Sequence, residues 1–108
     1  MISLKKLSII DIGSNSIKVL ITNLNSKIYY DILCEEKVPF RMSQYMTPDQ
    51  TLSEEGSKKL IDILSYFKHL SDYHQSKTIL AIATEATRRL KNSEHILNQI
   101  NQQLNIQV

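Results

Sequence analysis

A chain of 108 residues has room for one domain, which at this size buries roughly two-thirds of the surface that its unfolded form exposes. With 42% apolar and 22% charged residues and a formal charge of +2, it has the make-up of an ordinary globular domain, which excludes a disordered chain; no basic run exceeds a pair, which excludes a duplex nucleic-acid footprint. The lone Cys34 excludes an internal disulfide and any zinc spacing, and the apolar stretch after Lys5 and Lys6 is broken by Asp11, so no signal peptide or membrane span is expected and a reducing cytoplasm is the expected compartment.

Leu7 to Ile12 is a β-branched run that ends beside Asp11, and the turn formers Gly13-Ser14-Asn15-Ser16 follow it; this predicts a strand and a hairpin turn. Ile17, Val19 and Ile21 then alternate with Lys18, Leu20 and Thr22, as a second strand requires. Asn25-Ser26 predicts another turn. Beyond it Ile28, Tyr30, Ile32 and Cys34 alternate with Tyr29, Asp31, Leu33 and Glu35, predicting a third strand that runs toward Phe40 across Pro39. Three antiparallel strands are thus expected to open the domain.

The stretch from Arg41 to Leu52 is polar and lacks a period, which predicts a mobile loop. Ser53 can cap a helix with Glu54 and Glu55 in its first turn, where the helix dipole favours negative charge, and Leu60, Ile63, Leu64, Phe67 and Leu70 form its apolar stripe. Ile79-Leu80-Ala81-Ile82-Ala83, within Thr78 to Thr84, is a nearly continuous apolar run. It predicts a central parallel strand buried on both faces, reached by a right-handed crossover. Glu85 to Leu90 reads as a helical turn. Asn92 or Ser93 caps a last helix with Ile96, Leu97, Ile100 and Leu104 inward, and Ile106-Gln107-Val108 is expected to begin a further strand.

Two segments could carry chemistry. In Asp11-Ile12-Gly13-Ser14-Asn15-Ser16, Gly13 lets the backbone turn, Ser14, Asn15 and Ser16 supply side-chain donors, and successive amides can form an anion-binding nest. Asp11 repels phosphate but can hold a magnesium ion that binds it. Hairpins use these same residues for conformation alone, so the turn by itself leaves both readings open. The second segment, Thr84-Glu85-Ala86-Thr87-Arg88-Arg89, leaves the end of the apolar strand, where ligands gather in α/β sheets. Arg88 offers a planar fork matched to phosphate oxygens. Arg89 points about 100° away on a helical turn and serves as the plain control; for either arginine alone a solvated or salt-bridged role is the default. Lys18 and Arg41 are weaker anion candidates. His69, His74 and His95 lack a partner at helical spacing, Tyr29, Tyr30, Tyr45, Tyr66 and Tyr73 are scattered, and Cys34 reads as core or inert surface.

Taken together, in this order and with Leu52-Ser53-Glu54-Glu55-Gly56 between them, the two segments resemble the N-terminal region of the exopolyphosphatase and guanosine pentaphosphate phosphohydrolase family. That family has a D-L-G-S-N-S-like phosphate loop, an R-L-type loop and a T-x-A-x-R segment followed by an asparagine. Asp11 to Ser16, Arg41-Met42, Thr84 to Arg88 and Asn92 stand in those places. The resemblance implies an α/β, ribonuclease-H-like domain of the actin-like ATPase superfamily, with three antiparallel strands, then parallel strands with crossover helices. Residues 1–108 would be the N-terminal part of its first domain, truncated ahead of the remainder and of a second domain. It implies hydrolysis of the terminal phosphoanhydride of polyphosphate or guanosine pentaphosphate with magnesium held by Asp11, phosphates held by Gly13, Ser14, Asn15, Ser16, Lys18 and Arg88, and Arg88 as the catalytic arginine. By the resemblance, Lys18 stands where relatives often carry arginine, which keeps the charge and loses the fork. The family's glutamate base and second glycine-rich loop would fall past Val108, so the isolated chain is expected to be silent. Self-association or a homodimer through an exposed sheet edge is expected from such a truncation. Competing readings are a non-catalytic module that senses nucleotide or polyphosphate, and a kinase-like or scaffold relative.

Overall fold

Alternating burial along the first two strands sets the layout of the computed structural model, which describes residues 5–24 and 30–108. The turn expected at Asn25-Ser26, and Ile28 and Tyr29 of the expected third strand, lie outside the described residues. Strand β1 (Lys5–Ile12) pairs antiparallel with β2 (Ser16–Leu24), and β2 with β3 (Tyr30–Pro39). A 20-residue helix, α1 (Glu54–Tyr73), leads to β4 (Thr78–Ala83), which lies parallel to β1. The order β3-β2-β1-β4 is the expected antiparallel opening followed by a parallel addition. A short helix α2 (Glu85–Arg88) and a longer one, α3 (Ser93–Leu104), complete the chain.

Ile10, Ile12, Ile17, Val19 and Ile21 are fully buried on one face of the sheet, and Leu60, Leu64 and Phe67 of α1 with Ile96 and Ile100 of α3 share their core. Removing each such side chain from water contributes roughly 1.5–3 kcal/mol. The α1 N-terminus forms as its sequence suggests: the Ser53 hydroxyl accepts from the Gly56 amide at 3.1 Å, with Glu54 and Glu55 beside it.

Gly56 does more than weaken a helical turn. A Cβ there would stand 2.5 Å from the Tyr45 Cβ and 2.9 Å from Leu52 Cδ1, so only glycine lets α1 approach the segment before it. Gly56→Ala gains up to about 1 kcal/mol of helix propensity yet overpacks this contact by roughly 1–3 kcal/mol. A net loss of thermal stability is therefore expected in a calorimetric melt; an unchanged or raised Tm would show that the contact yields freely.

Several expectations need correction. The 41–52 stretch is not an open loop: Met42 and Leu52 are buried, residues Met42–Tyr45 form a 3-10 turn, and the Phe40 and Tyr45 rings stack with centroids 5.2 Å apart. The Ser53 amide donates to the Tyr45 carbonyl and the Lys91 amide to the Gln50 carbonyl. β4 is not central and is not buried on both faces. It is the edge of the described sheet, with Leu80 52% and Ile82 55% exposed, because the helices that pack on the sheet all cover the other face. Residues 106–108 form no strand; Asn105 ends α3 in the left-handed region at φ 55°, and Ile106 drops into the core. Asn92 stands at the N-cap position of α3 but its side chain does not cap. Its amide brackets the backbone of Leu52, Nδ2 donating to the carbonyl and Oδ1 accepting from the N–H, each at 3.0 Å.

Among the described residues no helix is long and apolar enough to cross a membrane. Cys34 is half-buried; burial, and then the Glu36 carboxylate, push its thiol above the usual range, in keeping with an inert role.

Candidate functional site

The turn between β1 and β2 is held by its carbonyls. The Gly13 amide donates to the Ser16 carbonyl at 3.0 Å, while the carbonyls of Ser14 and Asn15 accept from the Met42 and Phe40 amides at 2.9 and 3.0 Å. With those oxygens fixed toward the chain that leaves β3, the amides of Ser14 and Asn15 donate to no acceptor among the described residues. Ser14 and Asn15 are themselves exposed. Paired carbonyls and open amides in one turn make a nest for an anion. Gly13 has no positive φ; it is required because a Cβ would meet the Ser16 carbonyl oxygen at 2.8 Å.

The second segment reaches the same end of the sheet. Ile12 pairs with Ala83, and the Thr84 amide extends the ladder by donating to the Ile12 carbonyl at 3.0 Å. From there α2 begins. Its Thr87 is buried, with the hydroxyl 3.9 Å from Met42 Sδ. Met42 therefore touches both segments, the turn through its amide and α2 through its sulfur. Sequence reasoning treated Met42 only as part of a loop; an apolar residue in an otherwise polar stretch was the available signal.

Arg88 and Arg89 differ in pairing, but, against the expectation that they face apart, both line one surface cavity. Arg89 is bound to Glu85 one turn away, at 2.9 Å, with both side chains 75% exposed. Arg88 is exposed, lines a surface cavity with Ala83, Glu85 and Arg89, and has no side-chain partner among the described residues. Asp11 and Lys18 are exposed and stand directly opposite one another across β1 and β2, on the face away from the helices. Arg41 is exposed beside the 3-10 turn.

A magnesium ion suits this donor set. No group of three or more His, Cys, Asp or Glu side chains that could hold a metal occurs among the described residues. Magnesium needs only one or two carboxylates, with water and phosphate oxygens completing its shell, and Asp11 is one such carboxylate.

An antiparallel three-stranded opening, a parallel fourth strand and a turn at the shared strand end define the ribonuclease-H-like fold of the actin-like ATPases. Within that class, residues 20–108 match the Ppx/GppA phosphatase family, and the chain belongs to it. It is 26% identical to the Ppx/GppA family member of Aquifex aeolicus, with a TM-score of 0.86 over 98% of this chain and 35% of that one. An exopolyphosphatase from Cytophaga hutchinsonii is 25% identical, with a TM-score of 0.87 over 96% of this chain and 33% of its own. Exopolyphosphatase 1 of Mycobacterium tuberculosis is 21% identical over 103 residues, which are 95% of this chain and 30% of that protein. The chain thus spans about a third of the length of the relatives it matches.

Proposed function

We propose that this chain is the phosphate-gripping part of a phosphatase that hydrolyses the terminal phosphoanhydride bond of inorganic polyphosphate, guanosine pentaphosphate or both. The observation that carries this reading is the turn at residues 13–16, in which the carbonyls of Ser14, Asn15 and Ser16 are engaged while the amides of Ser14 and Asn15 stay open. Those amides, with the side chains of Ser14, Asn15 and Ser16, donate to the oxygens of a bound phosphate. Arg88 approaches from the end of β4 and offsets negative charge that builds up as the bond to the leaving phosphate breaks. Lys18 adds a positive charge beside the turn. Asp11 holds magnesium, which when bound neutralises phosphate oxygens that Asp11 itself would repel. Asp11 is then a ligand of the metal and Glu85 is paired with Arg89, so this reading gives neither a role in activating water. The 108-residue chain is therefore expected to bind phosphate chains without cleaving them.

Titration calorimetry with tripolyphosphate and magnesium tests the reading. A charge-assisted hydrogen bond contributes roughly 1.5–3 kcal/mol, so Arg88→Ala should weaken binding by about ten- to a hundredfold. Arg89→Ala, which removes a guanidinium of the same cavity that is already held by Glu85, should weaken binding less, and a molybdate assay should detect no released phosphate. Equal loss from both substitutions, or none from Arg88→Ala, would remove Arg88 from the site.

A further inference from the structure

The geometry points to Lys37 as a second anion contact: with Lys18 it clamps the following phosphates of a linear polyphosphate whose end sits in the turn. This rests on the phosphate site proposed above and adds to it a preference for extended polyanions. The β-sheet register places Asp11 opposite Lys18 and Lys18 opposite Lys37, so three neighbouring strands carry one charged row. The row lies on the uncovered face. Ile10, Ile12, Ile17 and Val19 are buried toward the helices, which leaves Asp11 and Lys18 on the other side. On β3, Glu36 reaches toward α1, its carboxylate accepting from the Tyr66 hydroxyl at 2.6 Å, and Val38 packs against the core. Lys37 between them is exposed and therefore shares the face of Lys18.

Two ammonium groups directly opposite on adjacent strands, about 4.8 Å apart at the backbone, repel and cost stability. Among the described residues neither lysine forms an ion pair. Asp11 stands opposite Lys18 but two strands away from Lys37, so the carboxylates nearby leave Lys37 without a direct partner. Glu36 is engaged by Tyr66, and Glu35, which lines the same cavity as both lysines, stands opposite Leu20, one step farther from the turn. An anion lying between the turn and Glu35 would meet both ammonium groups, and Glu35 would keep it from sliding along the strand. A phosphate chain has the repeated charge to occupy the turn and the clamp together, whereas pyrophosphate has only two phosphates to share between them.

Calorimetry with two probes, pyrophosphate and a medium-chain polyphosphate, tests the clamp on the wild-type chain, Lys37→Gln, Lys37→Arg and Asn15→Ala. Lys37→Gln should weaken polyphosphate about tenfold, which is about 1.4 kcal/mol, and should lower the slope of log affinity against log salt by about one, by the counterion argument that governs polyanions. Pyrophosphate binding should stay unchanged, and Lys37→Arg should restore the longer ligand. Without ligand Lys37→Gln should melt no earlier than the wild type, since it relieves a like-charge pair. If Lys37→Gln binds both probes at wild-type strength while Asn15→Ala loses both, the clamp is wrong and the turn stands. If the wild type binds neither probe, or Asn15→Ala changes nothing, the turn falls and the clamp falls with it.

Discussion

Replacing Gly13 by valine is expected to weaken tripolyphosphate binding by more than about a hundredfold, the equivalent of losing two charge-assisted hydrogen bonds at about 1.5 kcal/mol each. The Cβ of any larger residue would meet the Ser16 carbonyl oxygen at 2.8 Å. Because that oxygen is backbone, no rotamer change relieves the clash, and the 3.0 Å bond from the Gly13 amide to the same oxygen must open. The turn then re-forms with the Ser14 and Asn15 amides in new directions. The strands on either side should survive, because the β1–β2 pairing is already closed at Ile12 and Ile17, outside the turn. Calorimetry should thus show collapse of binding while circular dichroism shows retained strand and helix. Wild-type affinity in a folded Gly13→Val chain would mean that the nest is not where the phosphate binds.

Asn92→Ala should produce the largest loss of stability. The Asn92 amide satisfies both the N–H and the carbonyl of Leu52, a residue only 3% exposed. Leaving a buried polar group unpaired costs roughly 1–3 kcal/mol, so losing both partners should cost on the order of 2–4 kcal/mol, a large share of what a domain of this size has. Denaturant unfolding should show a lower midpoint with an unchanged slope. Asn92→Asp is the informative companion. It keeps the acceptor for the Leu52 amide but sets a carboxylate against the Leu52 carbonyl, so it should recover little. Full stability of Asn92→Ala would show that water replaces the amide without loss.

Much of the fold was legible because alternation is a local property. Ile17, Val19 and Ile21 announce a half-buried strand whatever surrounds them, and the Ser53 cap and the stripe from Leu60 to Phe67 announce a helix. What failed depended on the rest of the molecule. An apolar run such as Ile79 to Ala83 is hydrophobic on both sides, yet it does not say whether anything lies over Leu80 and Ile82. Met42 and Leu52 gave no period because each anchors the 41–52 segment singly. Asn92 is a good cap by type, and its contact with Leu52, 40 residues away, is written only in the folded chain. Lys37 was missed for a related reason. The β2–β3 register shifts between Ile21 and Thr22, so counting along the sequence does not pair Lys18 with Lys37. The two site segments were found by their residue types; that Met42 joins them was not.

The bare side of the sheet has an electrical consequence. Leu80 and Ile82 share a surface with Asp11, Lys18 and Lys37, so a polypeptide that extends from the two apolar side chains across the sheet also roofs the charged row. Water leaves that row as the roof closes, the local dielectric falls, and each ammonium pulls harder on a phosphate than it does in the open. Covering the greasy half and strengthening the ionic half are then a single event.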